Sequence, residues 1–174
     1  MATASTSIGL TEGVTAARVE LATLLQQFDL FSEQLETIMA QVLKILENIP
    51  GTAQMLTVPG VGVVTVAGFL AEVGDINNYD HGQQIIRLAG LNLKENSSGK
   101  RKGKTGISKR GRSRLRALLF RAVMPMVAKN AAFKALHQHY TTRSQNPLKK
   151  KQSIIALCRK LVRVLFTLGI RCKW

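Results

Sequence analysis

Asn96-Ser97-Ser98-Gly99-Lys100 brings two hydroxyls to the threshold of the most basic stretch of the chain. A serine can attack a phosphodiester when surrounding cations draw the phosphate close and stabilise the charge that develops on it. Lys100, Arg101, Lys102 and Lys104 follow at once and could do so. What the segment lacks is an obvious general base. On spacing alone it is a turn or a phosphate-binding loop as readily as a nucleophile.

The basic stretch runs on through Lys109, Arg110, Arg112, Arg114, Arg116 and Arg121, giving ten cations between residues 100 and 121. Solvated faces usually alternate in sign, and this one does not. Each phosphate neutralised releases counterions, so six such contacts would give a log-log salt slope of about −5. Tyr79, Tyr140 and Trp174 are too dispersed for a base-stacking platform, so the expected contact is with the nucleic-acid backbone.

The whole composition agrees. The 174 residues carry a net charge of +15 and a pI near 10.5, well beyond what solubility needs. All ten carboxylate side chains lie between Glu12 and Glu95, where only four Lys or Arg stand, so residues 1 to 95 carry −6 and residues 96 to 174 carry +21. An acidic metal-holding cluster therefore cannot come from the last 79 residues. Cys158 and Cys172 lack zinc-site pairing, and His81, His137 and His139 form no ligand spacing, so no metal site and no bound cofactor are expected. No signal-peptide pattern opens the sequence, and no apolar run approaches the roughly 20 residues that span a bilayer. A soluble, cytoplasmic protein with no membrane contact is expected.

The elements that must position these residues read as all-α. Leu24, Phe28, Phe31, Leu35, Ile38, Val42, Ile45 and Ile49 recur at alternating spacings of four and three, a heptad seam on a helix from about Ala16 to Asn48. The seam packs either against a second copy, making the protein a homo-oligomer, or against its own domain. Pro50-Gly51 ends the helix. The segment 56–67, with Pro59-Gly60-Val61-Gly62 at its turn, looks like a helix-hairpin-helix. There Gly60 and Gly62 either let backbone amides approach a phosphate or let two helices pack closely.

A short helix is expected over 81–89 and a loop over 90–107. Three further helices should follow: one from Ser108, as N-cap, to Lys129 with a kink at Pro125; one over 131–142; and one capped by Asn146 that stops near Gly169. The β-branched run Val61 to Val66 is the one local ambiguity. The divisions are a flexible segment 1–15, a coiled-coil helix 16–49, a helical domain 50–169 and a tail 170–174.

Several of these motifs stand in a fixed order: Leu56 to Gly62, Glu72-Val73-Gly74, Leu88-Ala89-Gly90-Leu91, Ser97-Ser98-Gly99, Gly106-Ile107-Ser108-Lys109-Arg110-Gly111, Leu115-Arg116 and Ala156 to Leu161. Together they resemble the C-terminal domain of the insertion-sequence 110/116/902 transposases over about residues 50 to 168. The heptad helix resembles that family's coiled-coil linker. The resemblance implies DNA strand exchange for excision and insertion of a mobile element, guided in some members by a structured bridge RNA. It places the nucleophile at Ser98, with Ser97 as fallback. It also implies magnesium, held in family members by carboxylates of an N-terminal resolvase-like domain that residues 1 to 95 do not resemble. The competing readings are a nucleic-acid-binding helix-hairpin-helix module without catalysis, and an oligomerisation unit whose charge packages RNA.

Overall fold

A computed structural model describes residues 13–94, 97–98, 101–102 and 106–171. Its elements are mainly helical, as the apolar periodicity predicts. Helix α1 spans Val14–Glu47, α2 Thr52–Leu56, α3 Val63–Val73, α4 Gly82–Leu88, α5 Ser113–Lys129, α6 Ala131–Thr142 and α7 Lys150–Arg171, with a 3₁₀ turn at Ile76–Asn78. The chain divides into two compact units, one up to Lys44 and the other from Ile45 onward.

In the first unit α1 carries its apolar seam uncovered: Leu24, Phe28, Phe31, Leu35 and Ile38 are all more than half exposed. The helix runs without a break because no Gly or Pro interrupts it. Its last carbonyls are then captured within the second unit. The buried Thr52 hydroxyl donates to the oxygens of Leu46 (2.7 Å) and Ile49 (2.8 Å), satisfying groups that a helix end leaves orphaned.

The core of the second unit is made by α5 against α3, α6 and α7, with α7 also packing on α2 and α4. Val66 and Phe69 of α3, Leu115, Leu119, Val123 and Met126 of α5, and Leu157, Leu161 and Leu165 of α7 are fully buried at helical spacing. The run Val61 to Val66 is no strand: from Val63 it is the first turn of α3, with Val66 buried in the core and Val64 exposed. The turn before α3 packs closely. Gly60 has φ +93°, and a Cβ there would lie 2.8 Å from Cγ of Met126.

Three sequence expectations are corrected. The segment 90–107 is not a plain loop: strand β1 (Leu93–Lys94) pairs antiparallel with β4 (Gly106–Ile107), and β2 (Ser97–Ser98) with β3 (Arg101–Lys102). Helix α5 starts at Ser113 rather than at Ser108, because Lys109 (φ 55°) and Gly111 (φ 141°) are in conformations no helix contains. Asn146, at φ 52°, does not cap α7. That helix begins at Lys150, where the Gln152 side chain accepts from the Lys149 amide (2.9 Å), and it continues past Gly169 to Arg171. Pro125 lies inside α5 without ending it.

Candidate nucleic-acid interface

Helix α4 builds the base of the basic segment. It ends in a Schellman turn in which the Gly90 amide donates to Arg87 O (2.8 Å) and the Leu91 amide to Ile86 O (3.0 Å). The carbonyls still pointing out of this terminus are taken up by the segment 108–116. The amides of Lys109 and Arg112 donate to the oxygens of Gly90 (3.0 Å) and Leu88 (2.7 Å), and the Ser108 hydroxyl donates to Gly90 O (3.3 Å). Gly111 makes the approach possible, since a Cβ on it would lie 2.3 Å from Leu88 O. The motifs Leu88-Ala89-Gly90-Leu91 and Ser108-Lys109-Arg110-Gly111 are thus two halves of one backbone clamp.

The clamp decides which cations face solvent with free donors. Arg116, half-buried, donates through Nη1 to Ala89 O (3.0 Å) and to Lys109 O (3.5 Å), placing its charge at the negative end of α4. Arg112 donates to the Glu72 carbonyl and lies 3.9 Å from the Glu72 carboxylate. These two arginines hold the fold together, a role that a count of basic residues did not reveal. Lys109, Arg110, Arg114 and Arg121 are exposed. They are exposed cations among the described residues of this segment.

Above the clamp the chain returns through β4, with the Ser108 amide bonded to Asn92 O (2.7 Å). The arm between them carries the candidate nucleophile. Ser98 stands opposite Arg101 in the β2–β3 ladder, and Ser97 opposite Lys102. The backbone register therefore brings both hydroxyl-bearing positions beside the basic ones. Lys100 and Lys104 lie outside the described residues. So does Glu95, three positions before Ser98 and the carboxylate nearest to it in sequence, which the sequence reading passed over as a base.

The glycines of the turn before α3 serve differently from one another. Gly60 is pressed against α5, and its neighbour Pro59 offers its carbonyl to Asn130 Nδ2 (3.1 Å), so close packing accounts for this position. Gly62 precedes the first turn of α3, with open space where a Cβ would be.

Two other groups with nucleophilic potential are structural. Burial pushes the Cys158 thiol up to about 12, so it stays protonated at neutral pH and is a poor nucleophile. Ser153 Oγ lies 2.9 Å from His137 Nδ1, but the serine is fully buried, so the pair joins α6 to α7 without access to a substrate. Among the described residues no three His, Cys, Asp or Glu side chains come together as a metal site would need. Nor is any helix among them long and apolar enough to cross a membrane.

A mainly helical domain with a clamped basic segment and a serine-bearing arm is the class of protein that the fold defines, and comparison with known proteins narrows it. Residues 52–138, from α2 into α6, match the model of the transposase IS116/IS110/IS902 family. The chain belongs to the IS116/IS110/IS902 transposase family. Among its relatives, the transposase for insertion sequence element IS1111A of Coxiella burnetii is 41% identical over 36% of this chain and 17% of that protein. The transposase for insertion sequence element IS1328 of Yersinia enterocolitica is 32% identical over 57% of this chain and 30% of its own length. The pilin gene-inverting protein of Moraxella bovis is 30% identical over 64% of this chain and 34% of its own. The chain thus spans about a third or less of these relatives.

Proposed function

We propose that this chain is the DNA-binding C-terminal part of a serine-type transposase that excises and inserts a mobile element. The observation that carries the reading is the family match over residues 52–138, which takes in both the clamp and the Ser98 arm. A relative described as inverting a pilin gene supports DNA strand exchange as the shared activity. In the proposed step the Ser98 oxygen attacks a DNA phosphodiester and its proton goes to a base. The P–O bond to the leaving strand breaks, and a phosphoserine ester keeps the phosphoryl group for another strand's hydroxyl. Lys100, Arg101, Lys102 and Lys104 would stabilise the charge on the phosphate, while Lys109, Arg110 and Arg114 hold flanking backbone. DNA is the partner, with a structured guide RNA as a second nucleic acid and further copies of the chain joined through α1. The setting is the bacterial cytoplasm, at the nucleoid.

The full enzyme's magnesium does not fit the described residues of this chain, whose carboxylates do not converge. The chain alone is expected to bind DNA without exchanging strands. The test is incubation of the chain, with and without a carboxylate domain in trans, with element-end DNA, guide RNA and magnesium. A denaturing gel then looks for protein joined to DNA. A Ser98-dependent adduct supports the reading. Salt-sensitive binding with no adduct under any combination favours the helix-hairpin-helix binding module.

A further inference from the structure

The flanks of the α1 seam differ chemically from each other. With a at Leu21, Phe28, Leu35 and Val42 and d at Leu24, Phe31, Ile38 and Ile45, the e positions are Leu25, Ser32 and Met39. The g positions are Gln27, Gln34 and Gln41. One edge is therefore largely apolar and the other is a ladder of uncharged amides. Leu25 is 55% exposed, and the three glutamines are exposed as well. Neither edge carries alternating charges over residues 24 to 42 that would select a different partner.

Such segregation discriminates between the two ways a second copy can lie on the seam. In a parallel pair each g position faces an e position five residues on. Gln34 would then lie against Met39 of the second copy, setting an amide against an apolar side chain. In an antiparallel pair e faces e and g faces g. Leu25 then meets Met39, Ser32 meets Ser32, Gln27 meets Gln41 and Gln34 meets Gln34. An amide is both donor and acceptor, so the glutamine rows can bond to each other directly.

The seam residues favour the same orientation independently. A parallel pair stacks Phe28 on Phe28 and Phe31 on Phe31 in adjacent layers, crowding four rings together. The antiparallel register sets Phe28 against Ile38, Phe31 against Leu35, Leu24 against Val42 and Leu21 against Ile45. Every bulky ring then faces an aliphatic side chain, as even packing requires.

We propose that α1 pairs antiparallel with α1 of a second copy, with Leu21 of each opposite Ile45 of the other. The proposal deepens the reading of α1 as the assembly element and rests on it. The occupant of the exposed seam is the same seam turned end for end.

Disulfide trapping in the full chain tests it, using Leu21→Cys and Ile45→Cys on a Cys172→Ser background. Cys158 stays in place, since its buried, protonated thiol reacts slowly. Both positions are exposed in the chain, so folding is expected to survive and is checked by circular dichroism. In the proposed register the two copies of residue 21 lie about 36 Å apart along the axis, beyond reach of a bond that needs Cα atoms within about 7 Å. The expected result is cross-linked dimer from the two variants mixed, at least tenfold above either variant alone. Efficient cross-linking of each variant by itself would show a parallel pair and overturn the proposal. So would a dimer that traps in neither setting, which would displace the register. A monomer in sedimentation at tens of micromolar would overturn the assembly reading itself. No nucleic acid enters the assay, so its failure is separable from failure of the strand-exchange proposal.

Discussion

The backbone at Gly111 runs against the end of α4 so closely that a side chain there would begin 2.3 Å from the Leu88 carbonyl oxygen, and the same pair of segments is joined by the Arg112 amide bond to that oxygen. Gly111→Ala must open the clamp or distort α4. Strain of this kind costs about 1–3 kcal/mol. Thermal unfolding should show a lowered Tm, and an unchanged Tm would mean that the clamp yields freely.

Arg116 and Arg114 should behave as different residues although both are basic and two positions apart. Arg116→Leu leaves the Ala89 carbonyl without its partner, a loss of about 1–3 kcal/mol for a buried acceptor, whereas exposed Arg114→Ala should leave stability within about 0.5 kcal/mol. DNA titrations should show the reverse, with Arg114→Ala reducing the salt slope by about one unit. Equal effects of the two on stability would refute the division into latch and contact.

Neutralising Lys100, Arg101, Lys102 and Lys104 together should flatten the salt dependence of DNA binding by about three to four units if each neutralises one phosphate. The quantity to measure is the slope of log K against log salt. A slope unaltered by the fourfold change would move the binding surface to another face.

Ser98→Ala, in a chain reunited with its carboxylate domain, should abolish covalent attachment and strand exchange while leaving DNA affinity nearly intact, because one hydroxyl adds little to a contact made by many cations. Ser97→Ala should be milder. Full activity in Ser98→Ala but none in Ser97→Ala would move the nucleophile, and activity with both hydroxyls removed would end the serine mechanism.

Cys158 gives a pH signature. Its thiol ionises near 9.0 in the unfolded chain and only at about 12 in the folded one, so the folded state keeps a proton that the unfolded state has lost. Stability from this group is complete below pH 9, falls as pH rises from about 9, and is gone above about 12. On a Cys172→Ser background, native labelling by iodoacetamide at pH 8 should accordingly be slow and should accelerate on unfolding. Rapid native labelling would contradict the burial.

Much of the helical framework was legible. The 131–142 helix was placed within its bounds, and the structure adds its cap: the Asn130 side chain accepts from the amides of Ala132 and Phe133. The seam of α1 was legible from period alone. The start of α5 was not, because the Leu88 carbonyl, distant in sequence, claims the Arg112 amide that a helix beginning at Ser108 would have bonded to its own first carbonyl. Strands of only two residues have no alternation to detect. Nor could sequence separate Arg112 and Arg116 from Arg114, since the carbonyls they serve belong to other elements.

The bond from the Ser108 amide to Asn92 O holds the two ends of the serine-bearing segment together, so residues 93 to 107 make a circuit closed at one root. Such a circuit can change length almost independently of what it is mounted on: doubling it adds only about 0.6 kcal/mol of closure entropy. Insertions and deletions in the arm would leave the helices undisturbed. A lineage could therefore refashion the reach of this serine-bearing segment by trial, with the scaffold bearing none of the risk.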